Sequence, residues 1–255
     1  MRKSSTNIGI IGILEKIIRS HPLVYWVVRS LVRYTNIFER DFDGLKKIYL
    51  NDKINIVDVG ASDGLSVKFF LKNLSVNKVI CFEPYKTYIN ILRKNKKVIV
   101  KPFAIGNKNF KTKIFFPRYN FFGKNLDLMT YAHYDFSLMQ HFIKDFKFTK
   151  NLKIVSGYLK IKIIKRLSYK IDLIKIDTNG YELSVIKGLI DIINKDKPAL
   201  IVEINKDKKI IAMLLKSKGY VGYYYSVKFN RFSKKMDANC TNKYFLQKKH
   251  LQGIK

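Results

Sequence analysis

The chain predicts an α/β fold in which a mostly parallel sheet carries helices on both faces. From Asn55 onward, short β-branched apolar runs alternate with stretches at helical spacing, the signature of successive strand–helix units. With 255 residues, 47% of them hydrophobic, the chain can bury a core of the size such a fold needs. The last two strand-like runs have no helix between them, so they are expected to pair antiparallel at an edge.

Residues 1–50 read as a helical segment with a break near His21–Pro22, and residues 51–255 as the α/β domain. "NIVDV" (55–59) is the first strand, followed by a glycine-bounded turn and the helix "LSVKFFLKNL" (65–74). "KVICFEP" (78–84) is the second strand, stopped by its proline, and "YKTYINILRKN" (85–95) is helical. "KVIVKPFAIG" (97–106) supplies a third strand and its loop, and the alternating "KTKIFF" (111–116) an added one. Residues 117–158 break the rhythm. They are dense in Tyr and Phe without a clean period, and read as an insertion over the site, a lid for the acceptor. "LKIKII" (159–164), "IDLIKID" (171–177), one helix "ELSVIKGLIDII" (182–193) and "PALIVEI" (198–204) follow. A helix ending near Lys218–Gly219 leads to "YVGYYYSVKF" (220–229) and "NKYFLQKK" (242–249).

Composition excludes several classes. Two cysteines, Cys81 and Cys240, are too few for a disulfide framework or a zinc site, and Cys81 lies in an apolar run as a buried thiol would. No metal site is expected. The formal charge of +31 would attract phosphate. However, the lysines are spread over every segment together with Ile, Asn, Tyr and Phe, the residues of AT-rich codons. Compositional bias therefore leads, contact with an anionic membrane surface or glycan comes second, and nucleic acid is disfavoured for want of a recognition motif. The start "MRKSSTNIGIIGIL" lacks a small-residue cleavage site, and "PLVYWVVRSLVRY" is too short and too charged to span a bilayer. A cytoplasmic protein is expected. Both stretches suit amphipathic helices, either packed as a cap on the domain or lying at the inner face of the membrane.

The chemistry sits at strand ends. In "VDVGASDG" (57–64) a strand delivers Asp58, and Gly60, Ala61 and Gly64 open the turn into a helix whose first amides lack helical partners. The spacing differs from the G-x-G-x-x-G of dinucleotide enzymes, and no G-x-x-x-x-G-K-[ST] marks an ATPase. Asp58 suits an amino-bearing group near the turn. Glu83 ends the next strand, where an acidic residue grips a ribose diol. A nucleoside with an amino-acid tail, S-adenosylmethionine, fits this pair of motifs better than a dinucleotide.

"VDVGASDG", "VICFEPYKTYINILRKN", "KPFAIGN" and "IDLIKIDTNGYELSVIKG" occur in the order seen in FkbM-type S-adenosylmethionine-dependent methyltransferases, and the chain resembles that family over roughly residues 40–250. The resemblance implies the Rossmann-like class I fold, a seven-stranded and mostly parallel sheet with an antiparallel last strand. It also implies methyl transfer to a hydroxyl of a sugar, polysaccharide or other small molecule. Asp58, Gly60 and Gly64 would line the methionine side, Glu83 would hold the ribose, and Phe103–Ala104 would lie by the adenine. The family usually shows Asp-x-Glu-Gly-x-Glu where this chain has Asp177-Thr178-Asn179-Gly180-Tyr181-Glu182, so Asn179 replaces a glutamate.

A sugar hydroxyl is a weak nucleophile and benefits from a base. Asp177 at its strand end is the first candidate, with a cap of the following helix as its alternative role. His133 in the aromatic insertion is the second. Glu182 suits the first helical turn on dipole grounds, and Glu203 is a further strand-end carboxylate. Two other functions compete: a nucleic-acid methyltransferase, suggested by the charge, and a non-catalytic membrane- or glycan-binding protein on this scaffold, suggested by Asn179 and the N-terminus.

Overall fold

In this computed structural model the described residues are 21, 24, 27–28, 31, 39–121, 123–144, 151–237 and 240–252. The chain divides into two units: Phe38–Thr112 with Leu159–Lys255, and Lys113–Tyr158 with Met1–Ile37. In chain order the elements are α1 (Asp43–Ile48), β1 (Ile54–Val59), α2 (Leu65–Asn73), β2 (Val76–Phe82), α3 (Lys86–Leu92), β3 (Val98–Lys101), β4 (Ala104–Ile105), β5 (Phe110–Phe121), β6 (Lys124–Asp127), α4 (Phe136–Ile143) and β7 (Leu152–Lys162). They continue with β8 (Leu173–Ile176), α5 (Glu182–Gly188), α6 (Ile190–Asp196), β9 (Ala199–Glu203), α7 (Lys208–Lys216), β10 (Val221–Ser226), β11 (Arg231–Ser233) and β12 (Asn242–Leu246). The expected N-terminal stretch 8–14 and most of 22–34 lie outside the described residues. Among the described residues no helix is long and apolar enough to cross a membrane.

The larger unit is built on one sheet in the order β11-β10-β12-β9-β8-β1-β2-β3. β1 pairs parallel with β2 and β8, β2 with β3, and β8 with β9. β12 enters antiparallel between β9 and β10. Successive strand residues face opposite sides and bury both. Ile56, Val79, Cys81, Leu173, Ile201 and Tyr244 pack on one side with Leu45 of α1 and Phe69 and Phe70 of α2. Val57, Val59, Ile80, Ile174, Ile176, Leu200 and Val202 pack on the other with Val185, Ile186, Ile193 and Leu215 from α5–α7.

Two expectations are corrected here. The sheet has eight strands among the described residues, not seven. The run read as one strand to Phe229 stops at Ser226, turns through Asn230 at φ 49°, and returns as β11. Phe232 anchors the return, its ring edge-on to Tyr225 at 5.4 Å and to Tyr244 at 5.1 Å. The single helix expected over 182–193 is two helices. At the break, Gly188 gives its carbonyl to the amide of Ile164 at 3.0 Å. A Cβ on Gly188 would also lie 2.2 Å from the Gly106 carbonyl oxygen, so only glycine permits this approach.

In the smaller unit the aperiodic-looking insertion holds strand segments on either side of the helix α4. The end of β5 pairs antiparallel with β6 around Gly123 (φ 76°), and Arg118 grips Asp127 through both nitrogens, Nε–Oδ1 at 2.5 Å and Nη2–Oδ2 at 2.9 Å. Tyr119, Leu128 and Leu152 form its small core. The charged pair lies within aromatic strands, which hid the two-residue alternation. Replacing Phe70 by Ala, which empties a fully buried ring site against Phe42 and Phe69, is expected to cost about 3–5 kcal/mol, read from urea unfolding.

Candidate active site

The carboxyl ends of β1, β2, β8 and β9 bring the candidate residues of the larger unit together. β1 delivers Asp58, which is wholly buried. It accepts the Ser66 hydroxyl at 2.5 Å on Oδ2 and lies 3.4 Å from Lys175 Nζ through Oδ1. Burial raises the Asp58 pKa above the ordinary value, against the lowering effect of Lys175 and Ser66. Asp58 thus spends its charge inside the protein, on Lys175.

The turn that follows is tight. Gly60 (φ 77°) donates its amide to the Phe82 carbonyl at 3.1 Å, and a Cβ on it would fall 1.9 Å from the Asp177 carbonyl oxygen. Its glycine is therefore required where the β1 and β8 loops meet. Ala61 is buried, and Gly64 (φ 84°) is the N-cap of α2, leaving the first helical amides directed at the strand ends. Glu83, just past β2, accepts the amides of Ser62 at 2.9 Å and Tyr85 at 2.8 Å. Burial pushes its carboxyl up to about 7 in spite of those two bonds. Beside it, the buried Ser62 Oγ has no hydrogen-bond partner among the described residues. A polyol ligand at Glu83 would supply what that hydroxyl lacks, so these residues fit a ribose. Phe103 packs edge-on against Phe82 at 5.5 Å with Lys162 Nζ 4.8 Å above its ring, and Ala104 begins β4.

β8 contributes the centre of the site. Lys175, a single lysine in an apolar strand, pairs in register with Asp58, so both side chains share a face. Its Nζ lies 3.4 Å from Asp58 and 3.4 Å from Asp177, and donates to the Gly60 carbonyl at 3.2 Å. Burial alone would lower the Lys175 pKa; the carboxylates of Asp58 and Asp177, with Glu39 behind them, outweigh it and hold the ammonium above its ordinary range. Sequence reasoning passed over this residue. The signal was there in "DLIKID", a cation two positions before the candidate base in a run otherwise apolar.

The turn after β8 is organised by Glu182. It accepts the amides of Thr178 at 2.8 Å and Gly180 at 3.0 Å and the side-chain amide of Asn205, so it is a structural cap. Asn179 is exposed at φ 54°, a conformation that Asn tolerates better than most residues. Glu203, half-buried at the end of β9, is pushed up to about 8 by burial and then by the negative charge of Asp177. His133 belongs to the other unit. It bridges to Phe115, stacks on Tyr134 at 4.5 Å, and its Nδ1 accepts the Asp135 amide at 2.9 Å. In a neutral ring that bond makes Nδ1 the acceptor and leaves the proton on Nε2.

The family model described as the methyltransferase FkbM domain matches residues 58–221. Similar solved structures include the methyltransferase FkbM from Methylobacillus flagellatus KT, with 16% identity over 76% of this chain and 43% of that one at a TM-score of 0.46. Another is the precorrin-6y C5,15-methyltransferase from Geobacter metallireducens GS-15, with 13% identity over 81% and 84% of the two chains and a TM-score of 0.37. A third is TrmK from M. capricolum, solved with S-adenosyl-homocysteine, with 15% identity over 83% and 67% and a TM-score of 0.39. The chain spans less than half the length of the Methylobacillus protein. No curated protein matches it.

Among the raised carboxyls, Glu83 and Glu203 give a pH dependence with a defined window. Between the ordinary 4.5 and about 7 for Glu83, or about 8 for Glu203, the folded state holds protons that the unfolded chain has released. Stability is therefore expected to fall as pH rises through that window. Urea midpoints from pH 5 to 9 should show the fall, and E83Q and E203Q should each remove part of it.

Proposed function

Because this chain belongs to the family of FkbM methyltransferase domains, matched over residues 58–221, we propose that it is an S-adenosylmethionine-dependent O-methyltransferase acting on a hydroxyl of a sugar, polysaccharide or other small molecule. The observation that carries the reading is the adjacent pair of strand ends, where the Gly60–Gly64 turn meets Glu83 beside the unpartnered Ser62 hydroxyl. Glu83 and Ser62 would hold the ribose, the Gly60–Gly64 backbone the methionine end, and Phe103–Ala104 the adenine side. Asp58 would act from behind the turn through Lys175 and the Gly60 carbonyl.

S-adenosylmethionine, when bound, supplies an electrophilic methyl group on a sulfonium. Transfer of that methyl to the acceptor oxygen would be an in-line displacement, for which the residues around Gly60, Glu83 and Asp177 would hold and orient the two partners. Asp177 takes the acceptor proton on a carboxylate oxygen, with Lys175 as counter-charge at 3.4 Å. The rest of the contribution is orientation and exclusion of water. A cytoplasmic location belongs to the same reading. The charge of +31 favours two other readings, a nucleic-acid acceptor and an anionic membrane contact. Methyl transfer to RNA, with a gel shift at physiological salt, would put the nucleic acid first.

Heating with S-adenosylmethionine or its demethylated product is expected to raise the melting temperature of the wild type, and E83A to lose the shift. Absence of any shift at millimolar cofactor would overturn the assignment. Asn179→Glu is expected to leave turnover no higher and to cost about 1 kcal/mol, because it forces a less tolerant residue into the left-handed region. A large rise in turnover would instead mark Asn179 as a defect.

A further inference from the structure

The reaction leaves a proton to be carried away, and a carboxyl not used above adjoins the residue that takes it. β8 and β9 are in register through Ile176 and Val202, so Asp177 and Glu203 leave the sheet side by side, on the face that also carries Asp58 and Lys175. The register sets the two carboxyls beside each other. Glu203 is raised by burial first, then by the charge of its neighbours, Asp177 foremost, and by a side-chain hydrogen bond with Asp177. Two carboxyls can make that bond only by sharing a proton.

The charged and titratable groups around the pair come from every neighbouring element. Lys175 of β8 faces Asp177 at 3.4 Å and Asp58 at the same distance on its far side. Glu182 of α5 is turned to Thr178, Gly180 and Asn205. Glu39, ahead of α1, accepts from Thr241 and Asn242, and Asp41 accepts the amides of Thr241 and Asn242. Asn242 of β12 stands opposite Glu203 in the sheet. One buried cation thus meets an excess of carboxyls, and a shared proton relieves it.

We infer that Glu203 shares a proton with Asp177 and acts through it as a positioning residue, passing the acceptor proton from Asp177 towards solvent. The catalytic role rests on the methyltransferase reading; the sharing of the proton does not. In the transfer, the acceptor O–H bond breaks as the O–CH3 bond forms, and the proton lands on Asp177. The proton held by Glu203 is then released to water as the one on Asp177 replaces it between the two carboxyls. Glu203 is half-buried, so it reaches both partners.

Carbon-13 carboxyl titration of protein labelled in its Glu side chains tests the pairing without any acceptor. The Glu203 resonance, identified by its loss in E203Q, is expected to have its midpoint near pH 8. In D177N it should fall by about one pH unit or more, a roughly tenfold loss of proton affinity, since the charged partner is gone. In K175M it should rise, and K175R should restore it. A midpoint in the ordinary carboxylate range, or one unmoved by D177N, overturns the inference. With a hydroxyl acceptor that turns over, the wild-type kcat profile should show an inflection near pH 8 that E203Q lacks; coincident profiles also overturn it. Failure of the methyltransferase reading would look different: no S-adenosylmethionine binding, with the coupled titration intact.

Discussion

The Lys175 ammonium, buried between Asp58 and Asp177, is the interaction on which the rest of the site depends. It ties β1, which opens the Gly60–Gly64 turn, to β8, which carries the proposed base. Buried ion pairs contribute little net stability, because desolvation offsets much of the attraction, but removing one partner strands the others. Their value here is geometric. Lys175 also holds the Gly60 carbonyl, so one side chain sets the position of the glycine turn and of Asp177 together.

That arrangement accounts for the local rules of the sequence. Gly60 has no room for a side chain because the Asp177 carbonyl occupies the space, and the loops of β1 and β8 close against each other as a result. Glu182 fixes the next turn with four backbone and side-chain bonds, leaving position 179 in the left-handed region on the surface. The departure from the family's glutamate at 179 therefore sits where the turn favours a small, locally bonding residue. The polar groups of the site lie on one face of the sheet because β1, β8 and β9 are in parallel register, and each adds its carboxylate or ammonium at the same alternation.

The raised carboxyls of Glu83 and Glu203 have the same physical origin and different neighbours. Glu83 is raised by burial although two amides stabilise its charge, and a hydroxylic ligand is the natural complement. Glu203 is raised by burial and by Asp177, so its proton has a partner already in the protein. Burial placed both at the carboxyl ends of strands, where ligands of open parallel sheets bind.

The central strands, their order of appearance and the glycine turn with Glu83 were determined by the sequence itself. They rest on local periodicity and on residue types that few other conformations accept. Only the tertiary structure decided what depends on groups far apart in the chain. Lys175 meets a carbonyl 115 residues away, and Asp58 spends its charge on that lysine. The break after Gly188 comes where Gly106 and Ile164 approach it, and β11 where Phe232 finds Tyr225 and Tyr244. Periodicity reports which face a residue takes, but the charge, space and partner it finds there are set by strands brought together from elsewhere in the chain.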